Sequence, residues 1–463
     1  MWSHPYLVPV LALESPGLED KDEDEEEHAP PPVIAFPPGL VTFPARFRMH
    51  DSAPSSPHRP WRVLRGPFLR YSVGEAISML GTWMQMLAQG WVVAGLTGSA
   101  FMLGMMNFAS GIPMLLFTMW GGVLADRYDK RVILMIAAGV QAALAVAIGY
   151  LVSTGQIALW HVLTAGVLLG IAAAFDIPAV SALVPELVER EEISAAIAVD
   201  RSIFHGTRLA GPALGGWLIG TLGTASAFYV NALSFGAVIV ALATIRRRPP
   251  GDAAEEQKRQ TGMKEGFAYV RSDRPTTAMI LLLTLSTAFI SPFFMIMLPL
   301  YSRNVLHLLP QQHGLLMACS GLGAFSGTVW LLSIARQRRS VWLRIALGFV
   351  VLSMSALSAA QGLAWAAVCM VTLTLGTSTI FGIANTIVQE RAPDHLRGRV
   401  SAVAGLSFFG VLPFAGLLST AIADRVGLRT AMVGAAILYG IFGAVLLARQ
   451  RETKPVSPAT GAT

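Results

Sequence analysis

Three ionisable residues lie inside long apolar runs of the sequence, where a charge needs either a partner or water. Asp176 and Arg208 lie about 10 Å from the nearer ends of two successive runs, at a helical rise of about 1.5 Å per residue. Glu75 lies nearer to the end of its run. A lone charge in mid-bilayer costs about 2.5–3.5 kcal/mol or more, so such residues pair or carry protons. We consider proton coupling for all three. The alternatives are a static Asp176–Arg208 ion pair and a Glu75 that snorkels to the interface.

A second set of charged residues lies in the stretch from Gly121 to Arg131, which closes one apolar run and opens the next. Asp126 lies at the C-terminal end of its own predicted helix, where the negative end of the helix dipole disfavours a carboxylate. We therefore expect Asp126 to bind a basic side chain or the N-terminus of another helix. In a membrane protein such a contact would act as a latch.

Polar residues recur at helical spacing in the first apolar run, three or four positions apart, so that they share one helix face. They are Glu75, Ser78, Thr82, Gln85 and Gln89. Later runs carry similar sets, namely Thr284, Thr287 and Ser291, then Thr374, Ser378 and Asn385. Polar faces at equivalent places in two halves predict a shared aqueous cavity. The alternative is hydrogen bonding between helices, worth about 0.6 kcal/mol per bond.

The composition indicates a membrane protein. Of 463 residues, 54% are hydrophobic and only 13% are charged, and the mean hydropathy is +0.57. Soluble domains average about 25% charged residues. The chain is basic, which is also typical of nucleic-acid binding, but its basic residues are scattered between apolar runs. The two cysteines lie inside apolar runs without metal-ligand spacing, so we predict no disulfide, no metal and no nucleic-acid partner.

Twelve apolar runs are long enough to cross a bilayer, which takes about 20 residues. The first six are Tyr71–Leu96, Phe101–Leu124, Val132–Val152, Leu159–Leu183, Ser202–Leu222 and Ala225–Ile245. The second six are Thr277–Tyr301, Gly314–Ala335, Trp342–Ala360, Ala364–Val388, Ser401–Ile422 and Leu428–Ala448. Lys and Arg residues concentrate in alternate loops, which places both termini in the cytoplasm and the protein in the inner membrane.

The remaining segments complete the predicted organisation. Residues 1–65 form an acidic, proline-rich tail that we predict to be disordered and cytoplasmic, with Met49 as a hypothetical start. Bundles at 66–245 and 276–449 flank a cytoplasmic linker at 246–275, and 450–463 form a cytoplasmic tail. Met263, Phe267 and Val270 predict a short amphipathic linker helix, lying either on the membrane surface or against the bundle.

The loop after the second run resembles the signature loop of the major facilitator superfamily. Its matching residues are Gly122, Asp126, Arg127, Lys130 and Arg131. The chain is similar, more closely, to the branch of enterobactin exporters and macrolide-type efflux pumps. Five segments carry that similarity: Gly81–Gln85, Ala174–Pro178, Arg208 with Gly211 and Pro212, Asn231–Phe235, and Arg397–Val400.

The resemblance implies an all-α membrane protein of twelve helices in two pseudo-symmetric six-helix bundles, working by alternating access. It also implies that Asp126 meets the start of the eleventh span, beside Arg397 and Arg399, and that this latch breaks when the carrier opens inward. The chain departs from drug/proton antiporters at Gly166 and Thr207, where arginine and glycine are usual. Proton antiport is therefore inferred from the branch.

We predict a secondary active exporter of a small amphipathic molecule, a monomer without cofactor, coupled to protons. Substrate would contact Trp83, Gln85, Gln89, Asn107 and Asn385. Helix packing would use Gly211, Pro212, Gly215 and Gly216, because small residues allow close approach. The alternatives are an importer or uniporter of the same fold, and a membrane scaffold without transport. The sequence offers no zinc motif, nucleotide loop or protease acid pair for an enzyme.

Overall fold

The computed structural model describes residues 63–245 and 263–449, and within these ranges the regular structure is helical. The predictions for the two tails and for the first part of the linker, including a start at Met49, lie outside the described residues. The six helices of the N-terminal half are α1 (Gly66–Leu96), α2 (Ala100–Arg127), α3 (Lys130–Ser153), α4 (Leu159–Glu186), α5 (Ile193–Leu222) and α6 (Thr224–Thr244).

The C-terminal half is preceded by a short linker helix, α7 (Met263–Ser272), and begins with an interrupted span. That span consists of α8 (Arg274–Phe289), α9 (Ser291–Met295), a single turn at Leu298–Leu300 and a π-helical turn at Tyr301–Val305. The other helices are α10 (Pro310–Leu331), α11 (Arg339–Ser358), α12 (Leu363–Arg391), α13 (Arg397–Phe409), α14 (Leu412–Val426) and α15 (Leu428–Arg449). Prolines at 292 and 299 explain the interruption, since each removes a backbone donor.

Nine helical segments of the described chain are long and apolar enough to cross a membrane. The other three predicted spans correspond to α1, α5 and the interrupted span that starts with α8. α13 and α14 together form one of the nine segments, broken near Gly410. The twelve predicted runs therefore all become helical segments, in the predicted order.

The two halves repeat the same ion pair at equivalent helix ends. Lys130, at the start of α3, pairs with Glu186 at the end of α4, with 2.8 Å between Nζ and Oε1. Arg339, at the start of α11, pairs with Glu390 near the end of α12, also at 2.8 Å. In each case the third helix of a half is tied to the fourth. The repeat is the one expected of two pseudo-symmetric bundles.

The linker helix α7 packs against the C-terminal bundle, which is one of the two positions considered from the sequence. Val270 is 8% exposed and belongs to the core of that bundle, whereas Phe267 is exposed. Glu265 forms an ion pair with Arg399 at the start of α13. The hydroxyl of Tyr269 donates to the carbonyl of Arg391 at 2.6 Å. The helix is thus held by the ends of α12 and α13.

A bidentate ion pair fixes the junction between α7 and α8. Arg391 donates from Nε and Nη2 to the two carboxylate oxygens of Asp273, at 2.8 and 2.6 Å. Asp273 also caps α8 by accepting from the backbone N–H of Thr276 at 3.1 Å. The hydrogen bond from Arg391 is the main reason that the pKa of Asp273 falls from its ordinary value of 3.8 to about 2.

We expect Asp273→Asn to loosen α7 by about 1 kcal/mol, as a partly exposed charged hydrogen bond is lost. Because the pKa is depressed in the fold, the wild-type contact stabilises above about pH 4 and is lost as the pH falls toward 2. Hydrogen exchange of α7 amides at neutral pH should become about fivefold faster. Asp394→Asn is the matched control, since that carboxylate is 90% exposed and pairs only with nearby Arg397. Equal exchange in Asp273→Asn and wild type would contradict this prediction.

Candidate functional site

The two ends of the molecule differ in charge and in how the bundles meet. We call one end the basic face; it holds the loops 128–129, 187–192, 332–338 and 392–396, where the signature loop lies. We call the other end the opposite face; it holds 97–99, 154–158, 301–309 and residue 427. α2 starts at the opposite face and ends at the basic face, whereas α13 and α14 run the other way.

Between the middle of the molecule and the opposite face, the two bundles touch backbone to backbone. A Cβ atom added to Gly216 of α5 would lie 2.9 Å from the Cα of Gly314 in α10, and 2.8 Å from the carbonyl oxygen of Pro310. Added to Gly104 of α2, it would overlap the side chain of Thr420 in α14. Glycine is therefore required on both seams for this closure.

Aromatic and basic side chains seal the same face. The ring of Trp91, near the end of α1, stacks on His313 of α10 with centroids 5.4 Å apart. The guanidinium of Arg303 lies 5.4 Å from the same indole ring and donates to the carbonyl of Trp91 at 3.4 Å. His313 is fully buried and its Nδ1 lies 2.9 Å from the hydroxyl of Ser302. Our sequence predictions missed these residues, because a lone Trp and a lone His in apolar runs carry no distinctive spacing.

The signature loop divides into bound and free residues. Within the described chain, Asp126 and Arg127 are exposed and form no hydrogen bond or ion pair. Arg131 and Lys130 are bound inside the N-terminal bundle, and Asp129 caps α3 by accepting from the N–H of Arg131 at 3.0 Å. The predicted contact of Asp126 with the start of α13 is thus not formed in this conformation.

The predicted receiving end of the latch is also bound elsewhere. Arg397 pairs with Asp394 at 2.7 Å and Arg399 pairs with Glu265 of the linker helix. A Cβ on Gly122 would meet nothing within 4 Å, whereas one on Gly121 would overlap the carbonyl oxygen of Ala174. Gly121 therefore packs α2 on α4, and Gly122 faces open space.

Two cavities contain predicted site residues, one lined by the C-terminal half alone and one lying between the bundles. The larger, about 310 Å³, opens near the basic face and is lined by Asn385, Thr386, Gln389, Glu390 and Arg397. The smaller, about 20 Å³, lies between the bundles and is lined by Trp83, Met86, Arg208, Pro212, Phe294, Met295, Met317 and Ser320. Two predicted substrate residues, Asn385 and Trp83, thus line cavities. The buried Nε1 of Trp83 and Oδ1 of Asn107 have no hydrogen-bond partner in the described structure.

The expected ion pair between Asp176 and Arg208 is not formed in the described structure. The guanidinium of Arg208 lies 5.9 Å from the ring of Trp83 instead. Asp176 lies close enough to Glu75 for their charges to interact, and Asp200 of α5 joins them. The hydroxyl of Tyr71 is buried near these carboxylates without a hydrogen-bond partner.

In this conformation the residues of the polar stripe of α1 differ in burial and do not share one described cavity. Gln85 is 6% exposed and accepts a 2.7 Å hydrogen bond from Nδ2 of Asn231 in α6, so it serves helix packing. Ser78, one heptad earlier, is buried as well, whereas Thr82 is exposed and Gln89 is half-buried. At about 100° per residue the stripe spans about 80° of the helix, with Ser78 and Gln85 toward one edge and Thr82 toward the other, so its two edges face different environments.

The polar residues of the C-terminal half also mostly serve their own helices. Thr287 is fully buried and donates to the carbonyl of Leu283 at 3.0 Å, and Thr374 donates to that of Met370 at 2.8 Å. Ser291 is 1% exposed. In this conformation the hydroxyls of Thr287 and Thr374 are therefore satisfied on the preceding turn, and the shared aqueous cavity stays a prediction.

We expect Gln85→Ala to destabilise the protein by about 1 kcal/mol, because Asn231 would be left buried without its partner. The substrate concentration dependence of transport should stay unchanged. Thermal unfolding in detergent and a transport titration measure the two effects. The double variant Gln85→Leu/Asn231→Leu is the control and should recover stability. A weakened substrate affinity with unchanged stability would restore Gln85 as a substrate contact.

The glycine–proline segment of α5 lies between two neighbouring helices. A Cβ on Gly211 would overlap Trp83, and one on Gly215 would lie 3.0 Å from the Cα of Met84, both in α1. Gly216 faces α10 of the other bundle, and Pro212 is buried. α5 thus approaches α1 on one side and the second bundle on the other.

The chain is similar in sequence to a family of membrane proteins and to named efflux pumps. A family model described as transmembrane secretion effector matches residues 59–457. The multidrug efflux pump Tap of Mycobacterium tuberculosis is 27% identical over 391 residues, covering 81% of this chain and 91% of the pump. Macrolide efflux protein A of Streptococcus pyogenes is 24% identical over 363 residues, covering 77% and 89%.

Solved structures share the fold at low identity. A bacterial homolog of the human lysosomal transporter Spinster, in an inward-facing and occupied conformation, superposes with a TM-score of 0.66 at 15% identity, covering 88% of this chain and 100% of the homolog. A D-xylose–proton symporter superposes with a TM-score of 0.64 at 15% identity, covering 84% and 97%.

The helical fold, the family match and the named efflux relatives together identify a multi-pass membrane transporter of the major facilitator superfamily. Within that superfamily, the chain belongs to the transmembrane secretion effector family. This confirms the predicted fold of twelve membrane helices in two six-helix bundles, and the resemblance to the efflux branch. The relatives are transporters rather than enzymes, as predicted.

Proposed function

We propose that this protein exports small amphipathic molecules by alternating access. The observation that carries the proposal is that the bundles meet closely toward the opposite face, while Asp126 is exposed at the basic face. The opposite face is therefore closed, and at the basic face the contact between Asp126 and α13 is not formed. The names of two relatives, a multidrug efflux pump and a macrolide efflux protein, support export as the direction.

The charge of the loops supports the orientation. Lys and Arg residues near short loops favour the cytoplasmic side, which makes the basic face cytoplasmic and both termini internal. The conformation described above is then inward-facing, ready to take up substrate from the cytoplasm or the inner leaflet. The free state of Asp126 agrees with this assignment, since its contact with the start of α13 belongs to the outward-open conformation.

The side chains around the small cavity favour an amphipathic substrate with an aromatic or apolar part, for which this cavity of about 20 Å³ has to widen. Three methionines, Met86, Met295 and Met317, line it together with Trp83. Methionine side chains are flexible and polarisable, which suits surfaces that accept many ligands. The free Nε1 of Trp83 offers one hydrogen-bond donor at this place. Asn385 and Asn107 remain our candidates for further substrate contacts, with Gln89 beside them.

Proton antiport is supported by the group of acids in the N-terminal bundle. Glu75 and Asp176 interact electrostatically, and neither forms an ion pair within the described residues. Unpaired intramembrane acids are the usual components of proton relays. An inward proton gains about 2.3 kcal/mol for each 100 mV of membrane potential, enough to drive export. We assign Arg208 to the substrate path beside Trp83, and we take the protein to act as a monomer in the inner membrane.

Everted membrane vesicles test the proposal directly. Everted vesicles that contain the protein would be given a proton gradient with an acidic interior. Uptake of a fluorescent amphipathic cation and of a macrolide would then be measured. Concentration inside the everted vesicles, abolished by a protonophore, is the expected result. Transport only down the substrate gradient would indicate a uniporter, accumulation in right-side-out vesicles an importer, and no transport of any substrate a scaffold.

A further inference from the structure

A carboxylate from the C-terminal bundle caps a helix of the N-terminal bundle at the opposite face. Asp424, near the end of α14, accepts from the backbone N–H groups of Ala100 at 2.5 Å and of Phe101 at 3.1 Å. The hydroxyl of Ser99 donates to the same carboxylate. α2 begins at Ala100 and has no acidic residue in its first turn. Its free N–H groups and positive dipole end are therefore satisfied by the other bundle.

The same tripeptide stands at the two relevant helix ends. Asp424 lies in Ala423-Asp424-Arg425, near the end of the eleventh span, and Asp126 lies in Ala125-Asp126-Arg127, at the end of the second. Each Asp faces the negative end of its own helix dipole, which is unfavourable for a carboxylate unless another helix N-terminus is near. For Asp424 that N-terminus is the start of α2. For Asp126 the resemblance implies that it is the start of α13.

We propose that Asp424 is the latch of the opposite face, reciprocal to the latch assigned to Asp126. In the conformation described, Asp424 caps α2 and Asp126 is free. In the outward-open conformation Asp126 caps α13 and Asp424 is released into water. The two helices thus exchange one cap for the other as the bundles rock. This inference rests on the proposed alternating access and on the role assigned to Asp126.

The geometry suits a reversible contact. Asp424 is exposed at its outer side, so water can replace the N–H donors of α2 when the face opens. The glycine contacts between the bundles allow close packing but form no directional hydrogen bonds. A carboxylate that accepts from a helix N-terminus does, so it fixes one relative position of the two helices. Opening either face breaks one carboxylate–helix contact and closing the other face forms one. Neither conformation is then much more stable than the other, so the protein can move between them.

Cysteine labelling tests the latch without any transported substrate. Met86 lines the cavity between the bundles, so Met86→Cys in a chain with Cys319 and Cys369 replaced by alanine reports opening. A membrane-impermeant maleimide is added from the side of the opposite face. We expect Asp424→Asn to label about tenfold faster than the parent, equivalent to about 1.4 kcal/mol. Equal labelling rates would overturn the proposal.

Three further variants serve as controls for the labelling experiment. Arg425→Gln changes the neighbouring charge on the same helix end and should label at the parental rate. Asp424→Glu keeps the carboxylate and should stay within about twofold of the parent. Should Asp424→Asn not fold, Ser99→Ala removes one donor of the same contact and is expected to raise labelling about two- to threefold. No rise in Ser99→Ala would then count against the latch.

Asp126→Asn separates the latch from the proposed function. It should slow labelling from the opposite face, and Asp126→Asn/Asp424→Asn should lie between the two single variants. Export by the wild type is measured separately in everted vesicles. Faster labelling of Asp424→Asn without any export would keep the latch and remove the exporter. Export by the wild type with no effect of Asp424→Asn on labelling would support the exporter and contradict the latch.

Discussion

Gly216→Ala is expected to reduce transport at least about fivefold while leaving the protein folded and in the membrane. A methyl group at this position would lie 2.8 Å from the carbonyl oxygen of Pro310 and 2.9 Å from the Cα of Gly314. Both neighbours are backbone atoms, so no side-chain rotation can relieve the contact. Overpacking of this kind costs about 1–3 kcal/mol, and here the cost falls only on the conformation in which the opposite face is closed. The equilibrium should therefore shift about five- to 150-fold toward the outward-open conformation.

Gly206→Ala is the matched control for this prediction. Gly206 lies in the same helix, and a Cβ there would meet nothing within 4 Å. It should transport normally and have a melting temperature close to that of Gly216→Ala, since both substitutions raise helix propensity. Gly314→Ala, on the other side of the seam, should reproduce the loss. Normal transport by Gly216→Ala and Gly314→Ala would mean that the bundles do not need this close approach.

Asp176→Asn is expected to abolish efflux driven by a pH gradient, a loss of at least 100-fold in the initial rate. The variant cannot bind and release a proton at this carboxylate, which lies with Glu75 in the N-terminal bundle. Exchange of labelled for unlabelled substrate needs no net proton movement and should persist. The measurement is paired: pH-driven efflux and substrate exchange in the same liposomes.

Glu75→Gln extends this prediction to the second acid and should also reduce pH-driven efflux. The matched control is Glu191→Gln, an exposed acid in the loop 187–192, which should couple normally. Proton-coupled efflux retained by Asp176→Asn would leave that residue a structural role only. Loss of exchange together with efflux would show that the substitution harms the substrate path itself rather than the coupling.

The course of the helices followed directly from the sequence, because hydropathy and length decide which segments can cross a bilayer. Even the interrupted seventh span was included in one predicted run, Thr277–Tyr301. The breaks within it depend on prolines and on packing against α14, so a hydropathy profile does not reveal them. Asp129, which stands where the signature loop usually has glycine, works as the N-cap of α3.

The site was harder to predict, since a sequence does not say which of two conformations is adopted. Asp126 is exposed here, and in the proposed mechanism its contact with α13 forms only in the outward-open conformation. The stripe on α1 was predicted as one face, yet Ser78 and Gln85 share one heptad position and face inward. Asp424 was overlooked, although a comparison of the ends of the second and eleventh spans would have shown the repeated Ala-Asp-Arg.

Alternating access requires the two faces to open in turn, and distances between spin labels across each face measure this motion. One pair is placed at Tyr128 and His395 on the basic face, and the other at Leu222 and Leu309 on the opposite face, all exposed positions. Acidification or substrate is expected to lengthen one distance and to shorten the other by several ångströms. Two distances that stay fixed, or that lengthen together, would contradict it.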